Sequence, residues 1–223
     1  MINHYTASRK VRNDDAYSPG GRIGMRPDRA TLAYCQRARE AYKGVPVIAG
    51  GVEASLRRLA HYDYWSDKVR KSILLDCKAD LVVFGMGEEA ILEITQRLDR
   101  GEKVKDLRNM RGVAYCLGAS EAIPEWPAVV PSSKFKVQGS EAPHFEHGTL
   151  NIEPESPPLA VNQNRDDRQT LTLPSFQQVS TDKLAFAEAT RIIHNETNPY
   201  NAKRLVQWHD RQAVVANPPA FPI

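Results

Sequence analysis

Apolar runs of strand length alternate with segments of helical periodicity across residues 27–117. Residues 45–49, 81–84 and 112–117 are apolar runs that lie next to glycines. Between them, apolar side chains recur every three or four residues, which is typical of helices that bury one face. Strands that alternate with helices of this length predict an α/β fold with a parallel sheet. Three strands make a small sheet, whereas such folds usually have about five or six, so part of the sheet is missing from this stretch.

The predicted helices have recognisable ends. Asp28 is the expected N-cap of a helix that runs to about residue 43, where Gly44 ends it. A helical turn is expected over residues 53–59, and a second helix over 63–77. A strongly periodic helix follows the strand at 81–84.

Outside residues 27–117 the pattern changes. Residues 1–26 are predicted to be an irregular N-terminal segment, because turn-forming residues interrupt any apolar period. Residues 118–170 contain seven of the fifteen prolines, which predicts a proline-rich linker or insertion. Residues 171–223 are expected to form a small α/β segment, with a helix capped by Thr181 or Asp182.

Composition narrows the class of protein. The chain has 223 residues, of which 41% are hydrophobic. No apolar run approaches the roughly 18 residues that cross a bilayer, and no signal peptide is visible. Cys35, Cys77 and Cys116 lie about 40 residues apart, which argues against a disulfide framework and a local zinc site. We therefore predict a cytoplasmic protein without membrane association.

Charge is distributed unevenly along the chain. Residues 1–117 carry 21 Lys and Arg against 15 Asp and Glu, whereas residues 118–223 carry 9 against 12. A basic first half can attract nucleic acid or another anion. A stand-alone anion- or nucleic-acid-binding module is therefore an alternative function, and an ordinary solvated surface is the simpler explanation.

Two glycine-containing turns follow predicted strands, where the ligands of open α/β sheets collect. The first turn holds Gly50, Gly51, Glu53 and Ser55, and the second holds Gly85, Gly87 and Glu88. Glycines let a ligand approach backbone N–H groups, and the start of a helix favours anions. We expect the two turns to line one ligand-facing crevice. The alternative is simple turn chemistry, in which the glutamates complement the helix dipole.

Aromatic and ionisable side chains are densest over residues 57–67. The candidates for recognition or for an interface are Arg57, Arg58, His61, Asp63 and Trp65. Either arginine can hold a carboxylate or phosphate, and His61 with Asp63 can form an acid–base pair. A structural histidine is the alternative. A third hypothesis is a small hydrolase or lyase centred on Glu53, His61 and Asp63.

Several strings of this sequence together resemble one family. The longest is VIAGGVEASLRRLAHYDYWS at residues 47–66, and it is long enough to be specific. The shorter ones are NHYTASRK at 3–10, RPDRAT at 26–31, FGMGE at 84–88, LPSF at 173–176, RIIHNETNP at 191–199 and NPP at 217–219. On these strings the chain resembles the YgiQ family of radical SAM proteins.

The resemblance implies a partial Rossmann-like fold, related to cobalamin-binding domains, over residues 27–117. It also implies a radical SAM barrel, in which a C-x-x-x-C-x-x-C motif binds a 4Fe-4S cluster that reduces S-adenosylmethionine. The cobalamin-binding string D-x-H-x-x-G does not occur in this sequence, so cobalamin is not supported.

The three cysteines of this chain cannot form the cluster motif, because they are too far apart. We therefore expect the accessory region of a radical SAM protein, truncated before the cluster and catalytically incomplete, with no cofactor of its own and no catalytic residue. Residues 171–223 would lead into the missing barrel, which is the expected partner, and the substrate is unknown.

Overall fold

The computed structural model describes residues 4–126 and 170–222. Its centre is a six-stranded sheet with the strand order β1-β4-β5-β8-β7-β6. The strands are β1 (Ile48–Ala49), β4 (Leu81–Val83), β5 (Val113–Leu117), β6 (Thr170–Thr172), β7 (Arg204–His209) and β8 (Gln212–Ala216). A separate hairpin pairs β2 (His61–Asp63) with β3 (Lys68–Arg70).

The expected α/β class is confirmed, but the sheet is mixed. β1 pairs with β4, and β6 with β7, in parallel, while β5 runs antiparallel to β4 and β8. The expectation that the third strand would be parallel is wrong. A 3-10 helix (Val104–Asn109) precedes β5, and the Phe84 N–H donates to the Gly112 carbonyl at 2.9 Å. β5 therefore starts beside the end of β4 and runs back along it. Apolar periodicity does not encode this strand direction.

The strands from the end of the chain belong to the same sheet as the first three. Within the small α/β segment expected over residues 171–223, Arg204–His209 forms β7. β8 pairs with β5 in the register Ala114↔Ala216 to Leu117↔Ala213. β6, β7 and β8 therefore complete the sheet, to which residues 27–117 contribute only three strands.

Helices cover both faces of the sheet. They are α1 (Ala30–Ala41), α2 (Gly51–Leu56), α3 (Ile73–Cys77), α4 (Glu88–Asp99), α5 (Phe176–Thr181) and α6 (Lys183–Asn195). Val82 belongs to the core on the α1 and α3 face, whereas its neighbours Leu81 and Val83 belong to the core on the α4 face. This alternation is the period of two that a strand buried on both faces requires. In the described parts of the chain, no helix is long and apolar enough to cross a membrane.

The helix predicted over 63–77 is wrong in its first half. Asp63 accepts hydrogen bonds from the Trp65 N–H at 3.3 Å and the Ser66 hydroxyl at 2.8 Å. Such local bonds from an Asp side chain compete with helix formation and favour a turn. Asp67 in the same turn has a φ of 53°, and only Ile73–Cys77 remains helical.

Helix caps were predicted with mixed success. Asp182 caps α6 by accepting from the Leu184 N–H at 2.8 Å, as expected. Asp28 does not cap α1, because its carboxylate accepts from the His4 N–H at 2.9 Å. The Thr31 N–H in the first turn of α1 is bonded by Glu53 instead.

The expected irregular N-terminal segment contains one 3-10 turn, Pro19–Gly21, and one bridge between Tyr5 and Val11. Most of the linker expected at 118–170 lies outside the described residues, which resume at Thr170. The domain boundaries at residues 26, 117 and 170, and the Rossmann-like relationship, stay predictions.

Candidate functional site

The β2–β3 hairpin, α2 and the N-terminal segment enclose a cleft of about 390 Å³. The cleft contains five of the residues that the sequence singled out. They are Glu53, Arg57, His61, Asp63 and Trp65. The remaining lining comes from Tyr5, Thr6, Ala7, Arg12, Leu56, Tyr62 and Tyr64. Residues from three separate stretches of the chain therefore meet at one place.

Asp63 is the buried charge that organises the hairpin. Its Oδ2 lies 2.7 Å from Arg29 Nη2 and 3.9 Å from Arg70 Nη1. Burial raises the pKa of Asp63, but hydrogen bonds from Arg29 and Ser66 outweigh it and bring the pKa to about 2. Asp63 is therefore a permanent anion held by arginines, and it is a poor proton acceptor near neutral pH.

Donors from two different elements of the described chain hold Glu53. Its Oε2 accepts from the Thr31 N–H at 2.9 Å, and its Oε1 accepts from Arg57 Nη1 at 2.8 Å. Burial raises the pKa of Glu53, and hydrogen bonds to the carboxylate, among them the one from Thr31, lower it below its ordinary value. The Arg57 side chain therefore forms an ion pair within its own segment, because Glu53 lies four residues before it. These contacts give both residues a structural role at the wall of the cleft.

His61 lies at the back of the cleft without an acid partner. Its Nδ1 is 3.2 Å from the Leu59 carbonyl, and its Nε2 is buried with no hydrogen-bond partner. Burial lowers the pKa of His61 to about 4. The expected acid–base pair with Asp63 is not formed, because Asp63 is bonded to Arg29 and Ser66.

An aromatic wall closes the outer side of the cleft. The rings of Tyr5 and Trp65 lie 4.4 Å apart between centroids. The Arg9 guanidinium lies 4.7 Å from the centre of the Tyr64 ring and donates to the Tyr64 carbonyl at 2.6 Å. The N-terminal segment is thereby attached to the hairpin, and Trp65 is half-buried in the contact.

Arg58 and Ser55 are not part of this lining. Arg58 Nη1 donates to the Ser55 carbonyl at 2.6 Å, and its guanidinium lies 4.4 Å from the centre of the Phe84 ring. Burial lowers the pKa of Arg58. This arginine therefore packs between α2 and the end of β4 and is not aimed at a ligand in the cleft.

The two glycine turns are neighbours, as expected of strands that pair in parallel. Gly51 and Gly85 are exposed with φ of 77° and 73°, a region where glycine has no steric penalty. A Cβ on Gly87 would lie 2.7 Å from Val83 Cγ1, so close packing explains that glycine. Gly50, Gly51, Gly85, Gly87 and Glu88 are not part of the lining of the cleft. Their role in a ligand-facing crevice stays a prediction.

Seven arginines of the first half are paired with carboxylates within the fold. Arginines in this half form ion pairs with carboxylates within 3.0 Å, namely Arg26–Asp15, Arg29–Asp63, Arg37–Glu40, Arg39–Asp80, Arg57–Glu53, Arg70–Asp76 and Arg97–Glu102. Local pairing weakens the field that would attract a polyanion. Binding of nucleic acid stays a prediction with less support than the net charge suggested.

The three cysteines do not fit an iron–sulfur cluster. Cys35 on α1 and Cys77 on α3 are both buried in the same core, where a hydrogen bond between the thiols lowers the pKa of Cys35 and raises that of Cys77. Cys116 lies on β5, and its Sγ is 3.6 Å from the Leu117 carbonyl. Over residues 4–126 and 170–222, no three His, Cys, Asp or Glu side chains are grouped to hold a metal ion.

Sequence reasoning missed three residues that fix the cleft or the segment that leads into β2. Arg29 and Thr31 come from the start of α1, and Gln207 comes from β7. The fully buried Gln207 accepts from the Ala60 N–H at 2.8 Å and donates to the Pro174 carbonyl at 3.0 Å. A glutamine in the apolar run 205–208 was the available signal, since a buried amide requires partners.

Comparison with known proteins gives the class to which this mixed α/β chain belongs. The family described as "Radical SAM N-terminal" matches residues 1–223. The chain therefore belongs to the radical SAM N-terminal family, and the resemblance to the YgiQ family is confirmed.

The chain is similar to proteins named UPF0313. It is 46% identical over 233 residues to one from Vibrio vulnificus strain YJ016. It is 45% and 44% identical over 237 residues to the YgiQ proteins of Salmonella typhimurium LT2 and Escherichia coli K12. All of this chain is covered, but it spans only 30% to 32% of the length of these relatives. No solved structure matches it.

Proposed function

We propose that this chain is the accessory region of a radical SAM protein that depends on a 4Fe-4S cluster and S-adenosylmethionine, and that the cluster is held by residues outside this sequence. The observation that carries the proposal is the family match over residues 1–223. The relatives are about three times as long as this chain, which leaves room for a barrel with its own cluster motif.

The placement of the cysteines also supports the proposal that the cluster ligands lie outside this sequence. A 4Fe-4S cluster is held by cysteine thiolates that reach one point. Here Cys35 and Cys77 are buried together between two helices, and Cys116 belongs to a different element. The three cysteines therefore provide no ligand set for the family chemistry, and we assign no catalytic step to this chain.

The cleft is proposed as a recognition surface for the barrel or its substrate. Its acids are held by arginines, and burial keeps His61 neutral, so the lining offers no group poised for proton transfer. Two of the lining side chains, Tyr62 and Tyr64, are exposed aromatic residues. Aromatic side chains next to fixed charges are typical of interfaces. This arrangement supports recognition over a hydrolase or lyase centred on Glu53, His61 and Asp63.

Anaerobic reconstitution with iron and sulfide tests the cofactor assignment. We expect no stable 4Fe-4S absorbance from the 223-residue chain, and no difference from a Cys35→Ser, Cys77→Ser and Cys116→Ser triple variant. A longer polypeptide that includes the sequence encoded after this chain is expected to acquire the cluster. A stable cluster in the 223-residue chain that disappears in the triple variant would overturn the proposal.

A binding measurement tests the recognition surface. The separately produced downstream region is titrated into the chain, and Tyr62→Ala and Tyr64→Ala variants are compared with Tyr34→Ala, an exposed tyrosine on α1. We expect weaker binding for the two cleft variants alone. Equal affinities for all three variants would place the interface elsewhere.

A further inference from the structure

Aromatic side chains form a large share of the lining of the cleft. Tyr5, Tyr62, Tyr64 and Trp65 all belong to this lining. Tyr62 and Tyr64 are 47% and 56% exposed, so much of each side chain is open to a ligand. The volume of about 390 Å³ lies within the range of about 300–1,000 Å³ that is typical of small-molecule sites. The cleft is therefore large enough to hold a planar aromatic group against these rings.

Three exposed cations next to the aromatic side chains lack a partner of opposite charge. Arg12 lines the cleft, and Arg9 and Lys10 lie in the turn that precedes it. Arg12 Nε donates to the Tyr5 carbonyl at 3.0 Å, and Arg9 Nη2 donates to the Tyr64 carbonyl at 2.6 Å. Both acceptors are neutral. Among the described residues, no carboxylate forms an ion pair with any of the three cations.

The acids of the cleft do not cancel this positive charge. In the described lining, the carboxylates are those of Glu53 and Asp63. Each already has an arginine partner, Arg57 at 2.8 Å and Arg29 at 2.7 Å. The charge beside the aromatic side chains therefore stays positive, although pairing weakens the field of the first half as a whole.

We propose that the cleft binds the base and the phosphate of a nucleotide, either free or within a single-stranded nucleic acid. The base stacks on an exposed tyrosine ring, and the phosphate accepts hydrogen bonds from the Arg12 guanidinium. Proteins that bind single strands combine aromatic rings with basic side chains in this way. This inference rests on the proposed recognition surface and names the class of substrate that it accepts.

Isothermal titration calorimetry on the 223-residue chain at low salt tests the inference. The ligands are adenosine monophosphate, a short single-stranded oligoadenylate, adenosine and inorganic phosphate. We expect the nucleotide, the oligonucleotide or both to bind at least about tenfold more tightly than adenosine and phosphate, because only these two carry base and phosphate together. The tighter of the two identifies the source of the ligand. If neither binds more tightly than adenosine and phosphate, the proposal is wrong.

Tyrosine variants test the stacking. Tyr64→Ala should weaken binding of the tighter ligand by about tenfold, the loss expected for one stacked base. Tyr64→Phe keeps the ring and should keep the affinity. The control is Tyr34→Ala, which removes an exposed tyrosine of α1 that is not part of the lining. Equal affinities in Tyr64→Ala and Tyr34→Ala would overturn the stacking role.

The salt dependence of binding tests the phosphate contact. Arg12→Met should reduce the slope of log affinity against log salt by about 0.7, the value expected for one lost phosphate contact on a single strand. Arg37→Met removes an exposed guanidinium that is paired with Glu40 at 2.7 Å, and it should leave the slope unchanged. A local structural change alone does not alter this slope. An unchanged slope in Arg12→Met would exclude Arg12 as the phosphate ligand.

The outcomes for this inference and for the proposed function are separate. A stable 4Fe-4S cluster in the 223-residue chain would overturn the accessory role and leave the nucleotide titrations unaffected. If no nucleotide binds while Tyr62→Ala and Tyr64→Ala still weaken docking of the downstream region, the cleft is a protein interface, and this inference alone fails.

Discussion

Glu53 caps a helix to which it does not belong, because its Oε2 accepts a hydrogen bond from the Thr31 backbone N–H at 2.9 Å. The first N–H groups of an α-helix have no partner inside the helix. For α1 a partner comes from α2, and the same carboxylate binds Arg57 through its other oxygen. One side chain thereby fixes the position of α1 against the cleft.

Replacing Glu53 by Gln should destabilise the fold by about 2 kcal/mol. The amide keeps one acceptor for Thr31, but it loses the charge that compensates the largely buried Arg57. Urea denaturation measures the free energy of unfolding. The matched control is Glu40→Gln, which breaks an exposed pair with Arg37 and should change that free energy by less than about 0.5 kcal/mol. Equal losses in both variants would contradict the role of Glu53 as the counter-charge of Arg57.

Asp63→Asn should destabilise the fold by roughly 3 kcal/mol, since it leaves Arg29 without its buried counter-charge. Asp67→Asn is the control in the same turn, because Asn tolerates the positive φ at that position. Hydrogen exchange of the β2–β3 amides should rise in Asp63→Asn and stay unchanged in Asp67→Asn. Unchanged exchange in both variants would mean that Asp63 does not organise the hairpin.

Gln207→Leu should cost at least about 2 kcal/mol, because it leaves the Ala60 N–H and the Pro174 carbonyl buried without partners. Gln212→Ala, on the exposed start of β8, serves as the control and should be close to neutral. Chemical denaturation of both variants gives the comparison. A neutral Gln207→Leu would show that water or backbone movement satisfies both groups.

Acid should destabilise the protein through His209. This side chain is 1% exposed, stacks on Phe176, and has no hydrogen-bond partner at either ring nitrogen. Burial lowers its pKa to about 4, Lys71 and His61 act in the same direction, and Asp210 and Asp76 oppose them. Because the unfolded state binds the proton first, the stabilisation is complete above the ordinary pKa of 6.5 and is lost progressively as the pH falls towards 4.

The expected loss from His209 is roughly 3 kcal/mol at pH 4. Denaturation curves between pH 7.5 and about 4 measure it. His209→Phe should reduce the dependence but not abolish it, because burial lowers the pKa of His61 to about 4 as well. His194→Gln, a change of an exposed side chain at the end of α6, is the control. An unchanged slope in His209→Phe would assign the acid sensitivity to other groups.

The sequence was most informative where local signals and burial agree. The apolar runs at 45–49, 81–84 and 112–117 contain β1, β4 and β5, and the periodic segment after 84 contains α4. The alternation of period two and period three to four is a local property, so it can be read without knowledge of tertiary contacts.

Strand direction and contacts between residues that are distant in the chain could not be predicted from local periodicity. β5 is antiparallel to β4, because the chain returns to the end of β4 before β5 begins. The cap of α1 comes from Glu53, which lies 22 residues from Thr31. Both features depend on which segments meet in space, and neither leaves a periodic trace.

The cleft was anticipated in its composition but not in its chemistry. Glu53, Arg57, His61, Asp63 and Trp65 do lie together. The residue types suggested acid–base chemistry. In the structure, Asp63 and Glu53 form ion pairs with arginines, and burial lowers the pKa of His61. Glu53 and Arg57 are four residues apart, a spacing that the sequence shows. The partner of Asp63 is Arg29, which lies too far away in the chain for spacing to indicate it.

The pairing of β5 with β8 limits how the gene can be divided for expression. A fragment that ends near Trp126 would keep β5 but lack β8, which pairs with one edge of it. A fragment that starts near Thr170 would keep β8 but lack β5. Each would present the open hydrogen-bonding edge of a central apolar strand, which invites aggregation. Soluble material is therefore expected when both fragments are produced together, and each alone should be recovered in inclusion bodies.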